Sequence, residues 1–414
     1  AYDMGWHNLY TGASNFYQLY KIADEQFKGQ YKAIALLMQA YTFQTLADGW
    51  GDVPFTEALK GQYADGHLVN PKYDSQRVVY RGIVTQIDSA LGMINTSDAN
   101  GPSSDDIIYG GDMNKWRKFG NTLKLRTLLR MADVDPVYAK EKMDAMFAKN
   151  PQFIGDGEDA VIHYASATGN NNPLYAELSS SALSGAQQLA ASKTIIDTLV
   201  ANNDVRGFAF YTSTGVNGLV GINQSEFDVK LPSGSYSIPS SAVGADKSNM
   251  GSAVAPVHLL TSWESHFLQA EAFTRGLATG NDAQAYYDGV RASFNYYGNA
   301  IFAATGVTAS VAFTNYMTAT PANYWAVFPT TGTVAERVRY IATQKWFAMC
   351  GNQGFEAWTE WRRTGYPDFL VTPKNSRIGT KMPLRFLYPA SERSTNSQYP
   401  GEQPVTKNVW WDVL

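Results

Sequence analysis

Apolar side chains recur every three or four residues in several segments of this chain, and Gly and Pro residues separate those segments. Within 31–46 the recurring residues are Tyr31, Ile34, Met38, Tyr41 and Leu46, the spacing of one face of a helix. In the following stretch ADGWGDVPFTEAL, Gly49 and Gly51 suit the positive φ angles at which helices end, and Pro54 prevents the helix from resuming. The sequence therefore predicts an amphipathic helix that ends near residue 50 and needs a neighbouring helix to cover its apolar face.

Further helical segments come in neighbouring pairs. Asp74 is a candidate N-cap for the next helix, and Pro136 suits the first turn of another. Segments 261–277 and 281–297 are separated by a Gly turn, and 334–350 is a last strong helix. Such pairs resemble tetratricopeptide repeats, although a strict period of about 34 residues is not present. The predicted fold class is mainly α, with tetratricopeptide-like helix pairs forming a scaffold.

The region of about 151–256 differs in composition, because Gly, Ser, Asn and Pro separate only short helical or strand-like pieces. Ordered loops of that length usually have a functional reason, so we expect an irregular, loop-rich lobe.

A chain of 414 residues is too long for a single hydrophobic core, which leaves several domains or an extended stack of small units. We expect a single unit over 1–414, with the scaffold at about 16–150 and 257–352 and a C-terminal tail, 353–414, packed on it.

Composition excludes several functional classes. The 33 Lys and Arg residues against 37 Asp and Glu give a formal charge of −4 without a basic run, so nucleic acid is not an expected partner. The single cysteine, Cys350, excludes an intrachain disulfide and a zinc site of several thiolates from this chain. Aromatic residues make up 13% of the chain, which favours a binding surface for Tyr and Trp rings.

The sequence lacks the common catalytic motifs. The HExxH metal motif, the phosphate-binding P-loop and the G-x-S-x-G hydrolase motif are all missing, so we expect no catalytic residue, no metal and no cofactor. A helical glycoside hydrolase remains an alternative, because Glu264 and Glu271 would share one helix face about 10 Å apart along its axis. Two carboxylates on one face are more often simply solvated. A peptide-binding protein of the tetratricopeptide type is the other alternative.

Two parts of the sequence resemble a known family. The C-terminal part carries QKW…EAW…RRTGYP, MPLRFLYPASERSTNSQYP and KNVWWDVL, and the N-terminal part carries GWGDVPFTEAL followed by PKYDSQRVVYRGIVTQIDSAL. These runs resemble the SusD/RagB family of outer-membrane nutrient-binding lipoproteins from Bacteroidetes-type bacteria, over about residues 6–412. The resemblance implies four tetratricopeptide-like helix pairs with an irregular lobe mounted on them.

The same resemblance implies a function. It predicts a non-enzymatic protein of the cell surface that captures an oligosaccharide, or in some members a peptide, and delivers it to a SusC-like TonB-dependent transporter. It also predicts attachment to the outer membrane through an N-terminal lipid anchor, and we expect that anchor to lie outside the sequence that starts at Ala1.

The family signature runs are scaffold, so the ligand-binding residues have to be predicted from position and chemistry. Five residues are candidates because they offer ring faces or amides before the first helix, in the Asn-rich loop or in the irregular lobe: Trp6, Asn171, Tyr175, Tyr211 and Tyr236. The Trp, Arg and Glu residues of the C-terminal signature are expected to hold the last helix and the tail together. Trp50 is expected to fill the groove between two helices.

Overall fold

The computed structural model describes residues 3–26, 28–98, 101–180, 189–215, 218–224, 232 and 234–414. Over those residues the chain is mostly helical, which confirms the predicted fold class. The α-helices are α1 (Asp3–Glu25), α2 (Gly29–Trp50), α3 (Gln76–Met93), α4 (Met113–Met131), α5 (Pro136–Phe147), α6 (Pro173–Leu178), α7 (Lys193–Ala201), α8 (Gly207–Phe210), α9 (Ser262–Thr274), α10 (Asp282–Tyr296), α11 (Gly298–Thr305), α12 (Ala309–Thr318), α13 (Val334–Ala348), α14 (Gly354–Thr364) and α15 (Ala390–Thr395). Among these described helices, none has both the length and the apolar character needed to cross a membrane.

The chain divides into two compact units. Unit 1 comprises Ala1–Phe153 and Lys381–Leu414, and unit 2 comprises Ile154–Thr380. The expectation of a single unit over 1–414, with its scaffold, lobe and tail, stays a prediction.

Unit 1 is a stack of helices in which each packs against the next, from α1 to α5. Helix α2 lies at its centre and is buried on most of its surface, polar residues included. The predicted helix is therefore present, but it is not amphipathic as expected, because α1, α3 and α4 all pack against it. Pro136 occupies the first turn of α5, as predicted.

A buried ion pair connects α2 to α4. The Asp48 carboxylate lies 2.5 Å from the Arg130 guanidinium, and their side chains are only 2% and 1% exposed. Tyr80 Oη and Trp411 Nε1 also donate hydrogen bonds to Asp48, the latter over 3.0 Å. These additional donors matter because a buried ion pair is tolerated only where its remaining polar atoms are satisfied.

The break after α2 is the place where the C-terminal segment of unit 1 packs against its N-terminal part. Gly51 has φ of 90° and caps α2, whereas Gly49 stays helical. Trp50 is buried and donates from Nε1 to the carbonyl of Leu387 over 2.9 Å, and the Phe386 amide donates to the Gly49 carbonyl over 2.7 Å. The Gly, Trp and Pro residues of this stretch therefore end one helix and hold the returning tail.

One predicted cap is wrong. Ser75, not Asp74, is the N-cap residue of α3. The Asp74 carboxylate accepts hydrogen bonds from the backbone amides of Thr56, over 2.7 Å, and Phe55, over 3.2 Å. Asp74 thus fixes the backbone of residues 55 and 56 beyond the end of α2, because those amides would otherwise lack an acceptor.

Unit 2 combines a helical part with irregular segments. The strands β1 (Ala160–Ile162) and β2 (Val257–Leu260) pair antiparallel, with Ala160 opposite Leu260. Helices α9 and α10 pack against each other, and α13 covers both. Arg206 lies inside this unit and donates to Asp204 over 2.6 Å and to Gln344 over 2.9 Å. Gln344 therefore connects α13 to the segment of the same unit that carries Arg206.

Candidate functional site

The two carboxylates that could have supported glycoside hydrolysis are inside unit 2. Glu264 is 0% exposed and Glu271 is 3% exposed, so neither is the solvated group expected from the sequence. Gln353 Nε2 donates to Glu264 over 2.9 Å, and both terminal nitrogens of Arg363 donate to Glu271 over 2.6 Å. Both carboxylates therefore bind side chains of α14 or of its N-cap residue Gln353, and their role is structural.

The pKa of Glu271 fits that structural role. Burial is the largest single influence and would raise the pKa of this carboxyl group, but the attraction and hydrogen bonds of Arg363, together with the attraction of Arg275, outweigh it and lower the pKa. A general acid for glycoside hydrolysis needs the opposite, a raised pKa that keeps its proton near neutral pH. The described residues also contain no group of three His, Cys, Asp or Glu side chains that could hold a metal ion.

A surface better suited to a ligand surrounds α6 in unit 2. We call it the loop patch and define it by Asn171, Leu174, Tyr175, Met250 and Val254. Leu174 is 38%, Val254 43% and Met250 57% exposed, and Asn171 and Tyr175 are half-buried. Tyr175 Oη donates to the Met250 sulfur over 3.1 Å, so the ring lies beside an exposed thioether. The patch offers one aromatic ring, apolar groups and one amide, and none of its members is charged.

Asn172 fixes the loop patch in place. Its Oδ1 caps α6 by accepting from the amides of Leu174, over 2.9 Å, and Tyr175, over 3.2 Å. Its Nδ2 donates to the Ala255 carbonyl over 2.9 Å, which ties α6 to the segment that follows the 3-10 helix Met250–Val254. Pro173 then occupies the first turn of α6. Asn172 and Pro173 therefore determine the position of the Tyr175 ring.

Asn171 lies at the edge of the loop patch. Its Nδ2 donates to the Ala165 carbonyl over 2.9 Å, and the Ala165 amide donates to the Asn170 carbonyl over 2.9 Å. The Asn-rich loop is therefore a hydrogen-bonded turn that holds Asn171 next to α6, while Asn171 Oδ1 remains an acceptor at the surface.

Tyr211 and Tyr236 lie elsewhere in unit 2. Tyr211 pairs with Pro239 as an isolated β-bridge, and its hydroxyl lies 3.2 Å from the Cys350 sulfur. Burial raises the pKa of both the Tyr211 hydroxyl and the Cys350 thiol, the latter to about 11. Tyr236 is half-buried in the segment that runs beside Tyr211, and residues 225–231 and 233 lie outside the described residues. The structure therefore places Asn171 and Tyr175 together in the loop patch. It places Tyr211 beside the segment that contains Tyr236.

Trp6 belongs to unit 1, and the other four predicted residues belong to unit 2. Its side chain is only 3% exposed and packs against Tyr10, with ring centroids 4.9 Å apart, and Trp50, at 5.4 Å. The ring thus has a packing role in unit 1, and its role toward a ligand stays a prediction.

Sequence reasoning missed three members of the loop patch: Leu174, Met250 and Val254. Met250 and Val254 are far from α6 in the chain. Folding packs the 3-10 helix that carries both residues against α6 and places the Met250 sulfur beside Tyr175. The one signal in the sequence was Asn172-Pro173, a pair that indicates the start of a helix. The residues that follow it, beginning with Leu174, lie on the exposed first turn of that helix.

Comparisons with known proteins agree with this fold. Residues 2–389 match a SusD-like family described as "Starch-binding associating with outer membrane". A comparison with curated proteins found no match. Among solved structures, one described as a chitin-binding protein is 27% identical, with a TM-score of 0.81, and the match covers 99% of this chain and 87% of that one.

Two further structures show the same fold. A SusD homologue from Bacteroides fragilis is 23% identical with a TM-score of 0.80, and the match covers 98% of this chain and 89% of that one. A chitin-binding SusD homologue from Flavobacterium johnsoniae is 22% identical with a TM-score of 0.77, covering 99% and 86%. With the family match spanning nearly its whole length, the chain belongs to the SusD-like family of outer-membrane-associated glycan-binding proteins.

Proposed function

We propose that this protein binds a neutral oligosaccharide at the cell surface and delivers it to a SusC-like TonB-dependent transporter without cleaving it. The observation that carries the proposal is the uncharged loop patch around Tyr175. An aromatic face receives the apolar face of a sugar ring, and nearby polar groups bind its hydroxyls. The buried, ion-paired positions of Glu264 and Glu271 support a binding protein over a hydrolase.

An N-acetylated sugar is the ligand class that suits the loop patch best. Leu174, Met250 and Val254 offer exposed apolar surface for an acetyl methyl group, while Asn171 Oδ1 can accept from an amide N–H. The structure with 27% identity is described as chitin-binding, which supports the same ligand class for this chain. Tyr211, Tyr236 and Trp6 are proposed to contribute only where a longer ligand extends beyond the loop patch.

Membership of the family supports a proposal for location and partner. We infer an N-terminal lipid anchor that holds the protein on the outer membrane, where the transporter would receive the ligand. Co-purification of the full-length protein with a TonB-dependent transporter from the native outer membrane tests this part of the proposal, and recovery without any such transporter would contradict it.

A ligand screen tests the binding function. We expect chito-oligosaccharides to raise the melting temperature of the protein, since a ligand at 100 times its dissociation constant adds about 2.7 kcal/mol of stability. Malto-oligosaccharides and a mixed peptide library serve as comparison ligands. No shift with any oligosaccharide, together with a shift with peptides, would overturn the proposal in favour of a peptide-binding protein.

The same samples test for hydrolysis. We expect no release of reducing ends from any oligosaccharide during long incubation. Release that disappears in the Glu264→Gln or Glu271→Gln variant, while the melting temperature stays above the assay temperature, would support a glycoside hydrolase instead.

A further inference from the structure

Unit 1 contains a second feature that could bind a ligand, a cleft between helices with a volume of about 780 Å³. We call it the basic cleft. Its walls come from the C-terminal part of α3, one face of α4, the C-terminal half of α5 and the chain at 149–152. Volumes of this size are typical of sites for small molecules.

Cationic side chains dominate the basic cleft. Its lining carries Arg117, Lys118, Lys124, Lys142 and Lys149 against a single carboxylate, Asp88. The excess of positive charge is local, because the formal net charge of the whole chain is −4. A concave surface lined by charges of one sign concentrates counter-ions of the opposite sign.

Helical spacing explains why the charges converge. Arg117, Asn121 and Lys124 follow each other at four and three residues on α4, so they lie on one face of that helix. Lys142 and Lys149 come from α5 and from the chain that follows it. The cleft is therefore built by secondary structure, and its charges do not depend on one long loop.

Internal ion pairs use only part of this charge. Lys124 lies 2.5 Å from Asp88, and Lys142 lies 3.4 Å from Glu141, a residue outside the cleft lining. One terminal nitrogen of Arg117 donates to the Ile94 carbonyl over 3.0 Å. The Lys149 side chain is exposed and has neither a hydrogen-bond nor an ion-pair partner among the described residues. The Lys149 ammonium group is therefore available to pair with an acidic ligand.

Amide groups complete the lining. The Asn121 Nδ2 donates to the Gln152 carbonyl over 2.8 Å, which holds the chain at 149–152 against α4. Asn114 and Asn150 are exposed at the edge of the cleft. Amides bind hydroxyl groups as both donors and acceptors, whereas Lys and Arg donate to carboxylate or sulfate oxygens.

We propose that the basic cleft binds an acidic sugar, one that carries a carboxylate or a sulfate group. The cationic side chains would pair with the acidic group, and the amides would bind the ring hydroxyls. This site belongs to unit 1 and shares no residue with the loop patch of unit 2, so the inference does not rest on the function proposed above.

Calorimetric titration of the whole chain tests this inference. The probes are a galacturonic acid trimer, a sulfated trisaccharide, neutral chitotriose and inorganic sulfate. We expect the Lys142→Gln/Lys149→Gln variant to bind the acidic trisaccharides at least tenfold more weakly than the unchanged protein, and we expect tighter binding at low salt. The matched control is Lys115→Gln/Lys140→Gln, which also removes two positive charges, one from α4 and one from α5, but outside the cleft lining, and it should change affinity less than twofold.

The outcomes separate the possibilities. Tighter binding of the galacturonate or of the sulfated sugar identifies which acidic group is preferred. Absence of binding by both acidic sugars, equal binding by the cleft variant, or inorganic sulfate binding as tightly as the sugars would each overturn the inference. The Tyr175→Ala variant should keep its full affinity for acidic sugars, so failure of the loop patch and failure of the basic cleft are distinguishable.

Discussion

Replacing His258 with Phe should make unit 2 less sensitive to acid. His258 lies in β2, is 6% exposed, and packs against Trp263 and Tyr296, with ring centroids 5.5 and 5.0 Å away. Neither ring nitrogen has a hydrogen-bond partner among the described residues. Burial, with a smaller contribution from His163, lowers the pKa of His258 from 6.5 to about 4.

The sign of the effect follows from this lowered pKa. The unfolded chain binds a proton at His258 below pH 6.5, whereas the folded chain resists protonation until about pH 4. The folded state therefore loses stability as the pH falls through this window, and it keeps its full stability above it. For one group with these two pKa values, lowering the pH from about 7.5 to about 5 costs about 2 kcal/mol.

Urea unfolding followed by tryptophan fluorescence at both pH values measures this cost. Other titrating groups, such as Asp156 beside His266, are present in both proteins, so the difference between the two pH dependences isolates His258. We expect the unchanged protein to lose about 2 kcal/mol more than His258→Phe between the two pH values. An equal loss in both proteins would refute the reasoning, because it would mean that His258 accepts a proton in the folded state at its ordinary pKa.

Three further substitutions test other parts of the structure. Arg130→Met leaves the buried Asp48 carboxylate without its ion-pair partner and should destabilise unit 1 by about 3–5 kcal/mol, measured by urea unfolding; a loss below about 1 kcal/mol would contradict the pairing. Gly111→Ala should cost about 1–3 kcal/mol, because Gly111 has φ of 86° and an added Cβ would lie 1.9 Å from the Pro102 carbonyl oxygen; an unchanged melting temperature would contradict it. Asn172→Ala removes the α6 cap and should weaken chito-oligosaccharide binding severalfold in calorimetry, and unchanged affinity would show that the cap does not position the site.

The helices could be predicted because their signals are local. The three- and four-residue spacing in α2 and the Asp135-Pro136 start of α5 depend only on neighbouring residues. The role of Asp74 could not be predicted this way, because its acceptor oxygens bind the amides of Thr56 and Phe55. A cap depends on which unpaired amide the fold brings closest, and that is decided by tertiary structure.

The candidate site was predictable only in part, for the same reason. Asn171 and Tyr175 were identified by their chemistry in an Asn-rich loop. Met250, whose sulfur accepts from Tyr175, is separated from it by 75 residues. The burial of Trp6 in an aromatic cluster likewise comes from contacts with Trp50 and the C-terminal segment, including Tyr388. Side-chain chemistry in a sequence indicates what a residue can bind, and packing decides whether its face stays available.

Titration of the most strongly stabilising chito-oligosaccharide into four proteins tests the central claim most directly. They are the unchanged protein, Tyr175→Ala, Tyr175→Phe and Tyr20→Ala, the last removing a half-buried tyrosine from α1 as a matched control. We expect Tyr175→Ala to bind at least tenfold more weakly, a loss of about 1.4 kcal/mol, while the other two variants keep their affinity within about threefold. If Tyr175→Ala binds the sugar as tightly as the unchanged protein, the loop patch is not the glycan-binding site.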